Sequence, residues 1–328
     1  MIINDVSLIR YKGKMSVEGL MWEDRLASPL DIYPQYSNAI DAVPDFVQSK
    51  NGILDLDQIY LHIVTDEGET GLAGPISNSV AYIIENQLKP ILLGKDAFAT
   101  ELIWDQMYRR LIHGRQGEPI WAMSFIDCAL WDLKGKVLNK PVYSLLGGPN
   151  VDEIPAYASM LGYNVTDMKL VKKRALEYQS KGFKAQKWFF RYGPKKGKEG
   201  LIQNIELVKT LRDTLGNNYE LMFDCWQSMD VPYVIELADA IKKYNPKWIE
   251  ECVMPDRIDS YVRIKDKISI PMAGAEHHYT RWGMKQFIEK NALDIIQADP
   301  LWCGGISEMM KISALTSTYD LILIPHAG

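Results

Sequence analysis

The chain has 328 residues, 47% of them apolar, and a net charge of −5, which is room for a barrel-sized domain and a smaller second one. That acidic balance offers no basic footprint for nucleic acid or an anionic membrane. No run of about 18 apolar residues marks a spanning helix, and MIINDVSLIR, with Asp5 early and no apolar core, is not a signal peptide, so a cytoplasmic protein is expected. Cys128, Cys225, Cys252 and Cys303 show neither zinc-ligand nor disulfide-framework spacing and are expected to be small buried hydrophobes.

Residues 1–12 are predicted as a strand, and 57–74 as two strands joined across the turn-rich TDEGETG. Between them runs a long stretch without sustained periodicity, of the kind that serves as a lid; Trp22, Tyr33 and Tyr36 lie in it and are weak candidates to close over a ligand. Helical patterns follow at 79–92, 100–112 and 121–138, completing an α+β domain over 1–140. From about residue 153 short strands alternate with amphipathic helices, so 141–328 is predicted as a parallel α/β barrel domain. Its strands are placed near 154–160, 184–190, 219–224, 247–251, 269–275, 293–298 and 320–325. The last falls just before Gly328, and since closed barrels of this kind use eight strands, a shortened version of a longer chain is expected.

Three acids end apolar runs in this barrel: Asp224 in LMFD, Glu250 in KWIE and Glu276 in IPMAGAE, with 250 − 224 = 26 and 276 − 250 = 26. The interval fits one strand, one crossover helix and their loops, so the carboxylates should converge on the C-terminal rim. With no Cys or His at matching positions, such a set suits a hard cation such as Mg²⁺; solvated strand-end acids are the alternative. Asp299 ends the sixth strand and His326 the seventh, which brings a carboxylate and an imidazole to the same rim as a candidate dyad, with a helix N-cap as the other use of Asp299. On the second strand Lys187 and Phe189 are two apart and share a face. The following RYGPKKGKEG puts Arg191, Lys195, Lys196 and Lys198 at the catalytic end, where they could attract an anion or simply be solvated.

The string SFIDCALWDLKGKVLNKPVYSLLGG, then MFDCW, KWIEE, GAEHH, DIIQADPLWCGG and IPHAG, resembles the mandelate racemase group of the enolase superfamily, closest to its acid-sugar dehydratases such as the L-rhamnonate dehydratases. The resemblance implies a modified (β/α)7β barrel, a variant of the (β/α)8 type, under an N-terminal α+β capping domain. It also implies a further barrel segment that is not present here. Asp224, Glu250 and Glu276 are implied as Mg²⁺ ligands, His326 with Asp299 as the base, Lys187 as a contact to the substrate carboxylate or enediolate, and His277 as a substrate hydrogen-bond donor. The chemistry implied by the resemblance is abstraction of the proton alpha to a carboxylate; here it would be followed by loss of the 3-hydroxyl to give a 2-keto-3-deoxy acid. Racemases and cycloisomerases of the group carry a second lysine base where Phe189 stands, so dehydration is expected rather than racemisation. A muconate-type cycloisomerase or epimerase, and a silent sugar-acid binding protein, are the alternatives. The histidine and arginine by which rhamnonate dehydratases hold their substrate have no counterpart in the early chain, whose segment reads YPQYSNAIDAVPDF. The reaction class is therefore carried over and the named substrate is not. By the same resemblance a homo-oligomer acting on a small acid sugar is expected.

Overall fold

A computed structural model describes residues 1–18, 22–37 and 52–327. Strands β1 (Ile3–Ser16), β2 (Ile53–Thr65) and β3 (Thr70–Ile76) form an antiparallel sheet in that order. Helices α1 (Asn78–Ile83), α2 (Lys89–Leu92), α3 (Thr100–Arg110) and α4 (Glu118–Val137) pack on it, and α5 (Val142–Leu145) follows. The predicted helix over 79–92 is interrupted by a wider π-type turn at Ile84–Leu88. Pro90, which cannot donate a backbone hydrogen bond, lies just beyond it, and such turns absorb the missing bond. Gly71 lets the hairpin sit directly on α4, because a Cβ there would fall 2.1 Å from Ala129 O. A core running from Ile3 to Leu133 unites these elements, joined by Tyr279 from the barrel.

The remaining elements alternate as β4 (Ala158–Ser159), α6 (Met168–Ser180), β5 (Ala185–Phe189), α7 (Gly197–Leu215), β6 (Glu220–Asp224), α8 (Val231–Ile241), β7 (Trp248–Glu250), α9 (Ile258–Lys265), β8 (Met272–Gly274), α10 (Thr280–Glu289), β9 (Ile295–Ile296), α11 (Ile306–Ser317) and β10 (Ile322–Leu323). The seven strands pair in parallel in sequence order, with β4 and β10 at the edges. Each is shorter than the apolar run that announces it, because parallel pairing ends where the chain bends toward its crossover helix. The mixed α/β architecture of a curled parallel sheet beneath an antiparallel cap agrees with the expected fold class. Among the described residues no helix is long and apolar enough to cross a membrane.

Alternation along the strands sorts the side chains. Leu221 and Phe223 of β6, Ile249 of β7 and Ile296 of β9 join the core between sheet and helices, whereas Met222, Trp248, Ala273 and Ile295 meet inside the curled sheet with Ala185. Two residues further along that inner face, next to the rim, come Lys187, Asp224, Glu250 and Gln297.

Candidate active site

A cavity of about 1220 Å³ runs along the inner face of the curled sheet, from Lys184, Glu220 and Lys247 at the strand starts to Lys187, Asp224, Glu276, His277 and His326 at this rim. Register explains the acids. Asp224 is paired with Glu250 across β6 and β7, and Phe189 with Asp224 across β5 and β6, so the strands end level. Glu276 lies an odd number of residues beyond the inward Ala273 and would face away in a regular strand. Ala275 turns it back with a left-handed φ of +84°.

Lys187 is 3% exposed and holds two of these carboxylates, with Nζ 3.0 Å from Asp224 Oδ2 and hydrogen-bonded to Glu250 Oε1. Asp224 Oδ1 accepts the Trp226 N–H at 2.8 Å, and Glu250 Oε2 the Trp248 indole N–H at 2.8 Å. One ammonium does not neutralise the cluster. Burial works against charge on Glu250, yet Lys187 outweighs it and holds the carboxyl below its usual range. For Asp224, burial prevails over Lys187 and, with repulsion from Glu250 and Glu251, pushes it up to about 7. Glu276 is driven well above the carboxylate range by burial and then by Glu251. Glu276 Oε2 and Glu251 Oε1 are buried without a hydrogen bond. Oxygen donors, excess negative charge and buried carboxylate oxygens left without a hydrogen bond are what a hard divalent cation fits.

His326 Nδ1 lies 2.9 Å from Asp299 Oδ2, and its Nε2 faces Glu276 Oε2 at 3.3 Å without forming a hydrogen bond. Asp299 Oδ1 accepts the Leu301 N–H at 2.6 Å and so closes a turn; it is not the helix N-cap considered for it, because α11 starts only at Ile306 with Gly305 in the N-cap position. His277 points into the cavity while His278 turns to the Pro255 carbonyl at 2.6 Å. His277 Nδ1 lies 2.9 Å from Glu251 Oε2 and 2.7 Å from Gln227 Nε2. Burial lowers the His277 pKa, but the hydrogen bond and charge of Glu251 more than offset this and leave it raised. Among the described residues, the acids and histidines whose ligand atoms lie within 4.8 Å of one another are Glu251, Glu276 and His277; Asp224 and Glu250, drawn to Lys187, do not close to that distance with Glu276.

Phe189 lines the cavity on the same face as Lys187, its ring centroid 5.3 Å from Nζ. It packs with Leu26, Trp22 and Trp226 into a small apolar wall, so no titratable side chain stands at that position. Trp22 reaches the cavity because its segment is tied to the barrel: Glu23 N–H donates to Gly162 O at 2.7 Å and Ala27 N–H to Phe190 O at 2.8 Å.

Three expected contacts, Tyr33, Tyr36 and Arg191, fall elsewhere. Tyr33 is about half exposed, packs edge-on against Tyr36 at 6.4 Å and does not border the cavity, because the short helical turn Pro29–Ile32 carries it outward. Arg191 pairs with Asp24 at 3.5 Å, tying barrel to cap rather than facing the cavity. Sequence reasoning passed over Trp226, Gln227 and Trp302. Trp226 and Gln227 owe their direction to successive left-handed conformations, φ +40° and +59°, that no glycine or asparagine announces. The segment DCWQS after an acid-ended strand was the one available signal.

Residues 56–147 match the mandelate racemase / muconate lactonizing enzyme N-terminal domain, and residues 170–328 the enolase C-terminal domain-like family. L-rhamnonate dehydratase of Saccharopolyspora erythraea is 36% identical over 310 residues, 93% of this chain and 74% of that one. Among solved structures, L-rhamnonate dehydratase of Gibberella zeae superposes with a TM-score of 0.85 at 30% identity, covering 100% of this chain and 78% of that one. A magnesium complex of rhamnonate dehydratase from the same organism superposes at 0.83 with 29% identity and the same coverage. The 3,6-anhydro-D-galactonate cycloisomerase of Zobellia galactanivorans superposes at 0.77 with 30% identity, covering 100% and 80%. The chain belongs to the mandelate racemase and muconate lactonizing enzyme family of the enolase superfamily, and is an enzyme of the lyase type.

Proposed function

We propose that this enzyme is an Mg²⁺-dependent dehydratase of acid sugars in which His326 carries out both proton transfers. The observation that supports this most is the asymmetry of the cavity: the His326–Asp299 pair on one side, and the apolar wall of Phe189, Leu26, Trp22 and Trp226 on another. Asp224, Glu250 and Glu276 would hold the cation, which when bound supplies positive charge against the charge that builds on a substrate carboxylate.

Asp299 fixes the imidazole through Nδ1 and leaves Nε2 to remove the proton alpha to the carboxylate. The electron pair left at C2 forms the C2–C3 double bond as the C3–O bond breaks. The protonated ring returns its proton to the departing 3-hydroxyl, which leaves as water, and the enol becomes a 2-keto-3-deoxy acid. Of the three Lys187 N–H donors, two go to Asp224 and Glu250, leaving one for a substrate oxygen. His277, whose Nδ1–H donates to Glu251 Oε2 while Gln227 Nε2 donates to the same carboxylate oxygen, presents Nε2 to a substrate hydroxyl.

Elimination on one face needs only one acid–base group, whereas inversion at C2 needs a second on the opposite face. The similarity to a cycloisomerase favours ring opening or closure as a second reading, which differs in releasing no water. The deciding experiment incubates a panel of five- and six-carbon aldonates with enzyme and Mg²⁺, with a chelator control, and scores 2-keto acids and product mass. Chelator-sensitive 2-keto-3-deoxy acid formation is expected. A product of unchanged mass would overturn the dehydratase reading.

A further inference from the structure

Helix α4 of the cap grips the loop that leads from β9 to α11. Ser124, Asp127 and Trp131 share one face of α4, at spacings of three and four residues. Ser124 Oγ accepts the Gly304 N–H at 2.8 Å. Asp127 accepts twice from Ser307, Oδ2 from the backbone N–H at 2.9 Å and Oδ1 from the hydroxyl at 2.6 Å. A carboxylate from the cap therefore satisfies the N-terminus of a barrel helix. Trp131 Nε1 donates to Ser307 Oγ at 2.9 Å, and Trp104 Nε1 to Gly304 O at 2.7 Å. The fit is close: a Cβ on Gly305, whose φ is +90°, would lie 2.3 Å from Asp127 Oδ2.

The gripped loop begins at Asp299. The Asp299 carbonyl accepts the N–H groups of Trp302 at 3.0 Å and Cys303 at 2.7 Å, and its Oδ1 accepts that of Leu301. Trp302 stacks on Trp121 of α4 with ring centroids 5.1 Å apart, and its own ring lies 5.1 Å from that of His326 and 5.7 Å from that of His277. From Asp127 to the imidazole the path is thus continuous: cap carboxylate, α11 N-terminus, the Asp299 turn, then His326.

We propose that Asp127 is a positioning residue of the active site, holding the 299–307 loop so that Asp299 and Trp302 aim the His326 ring. The assignment of His326 and Asp299 as the base rests on the function proposed above; the mechanical link does not. Amide hydrogen exchange tests that link, using Asp127→Ala, Asp127→Asn and Ser307→Ala. In Asp127→Ala the amides of Leu301, Trp302 and Cys303, none of which touches Asp127, should exchange at least about tenfold faster while those of β6 stay at the wild-type rate. Asp127→Asn should restore protection, because its amide oxygen still caps Ser307. Ser307→Ala keeps the backbone bond, should give a smaller acceleration at the same amides, and serves if Asp127→Ala does not fold. On an aldonate turned over by the wild type, Asp127→Ala should lower kcat with KM held within about twofold. Wild-type exchange at 301–303, or acceleration that β6 shares equally, would overturn the proposal. An aldonate panel without turnover would count against the dehydratase reading alone.

Discussion

Asp224, Glu250 and Lys187 reach the rim as inward side chains of three hydrogen-bonded parallel strands, whereas Asp299, Trp302 and His277 reach it on loops shaped by hydrogen bonds to distant parts of the chain. In the first group, position follows from register and the hazard is electrostatic: buried carboxylates with one ammonium among them. In the second, charge is modest and the hazard is geometric, since the dyad depends on a loop held by the cap. The strand-borne half should therefore respond to charge changes and cations, and the loop-borne half to remote substitutions that leave charge alone.

The largest contrast is expected from the dyad itself. His326→Asn should lower turnover a hundred- to ten-thousand-fold with the thermal midpoint nearly unchanged, measured as 2-keto acid release; retention of more than about a hundredth of wild-type turnover removes His326 from the role of base. Next comes Lys187→Met, which leaves Asp224 and Glu250 buried with no ammonium. It should cost about 3–5 kcal/mol in denaturant unfolding without divalent ions, and Mg²⁺ should recover part of this by binding the folded state. An unfolding midpoint indifferent to Mg²⁺ in both wild type and variant would argue against a cation among these acids.

A smaller effect separates the halves by pH. Burial pushes the Asp127 carboxyl up to about 6, with Ser307 and Lys311 opposing and Glu101 adding to the shift. A folded pKa above the unfolded value stabilises the protonated form, so this contribution is complete below the unfolded pKa of 3.8 and is lost as pH rises to about 6. The unfolding free energy of the wild type relative to Asp127→Asn should fall by about 2 kcal/mol over that interval and stay level above it. A flat difference would mean that the cap carboxylate feels no burial. The smallest effect is expected at Arg191→Ala, which should cost at most about 1 kcal/mol by thermal denaturation, as a partly screened ion pair does. A collapse of kcat there would return Arg191 to the substrate site.

The acids were legible because a strand alternates with period two and a parallel unit repeats at a nearly constant length, so an acid closing an apolar run has a foreseeable direction and height. Lys187 was placed on the cavity face beside Phe189 by the same parity, although parity alone could not show that its ammonium lies between Asp224 and Glu250. Arg191 looked like part of a charge run because its partner, Asp24, belongs to the opposite domain. Tyr33 shared a segment with Trp22 and nothing in its neighbours indicated that a short helical turn would carry it outward.

By itself the sequence determined the order of strands and helices, the inward face of each strand and the arrival of acids and an imidazole at one rim, since these depend on local periodicity and the 26-residue repeat. Only the tertiary structure decided which carboxylates share Lys187, how Ala275 turns Glu276 inward, and that α4 holds the loop beginning at Asp299. Those outcomes depend on distances between residues far apart in the chain and on left-handed backbone at non-glycine positions, neither of which a local pattern encodes.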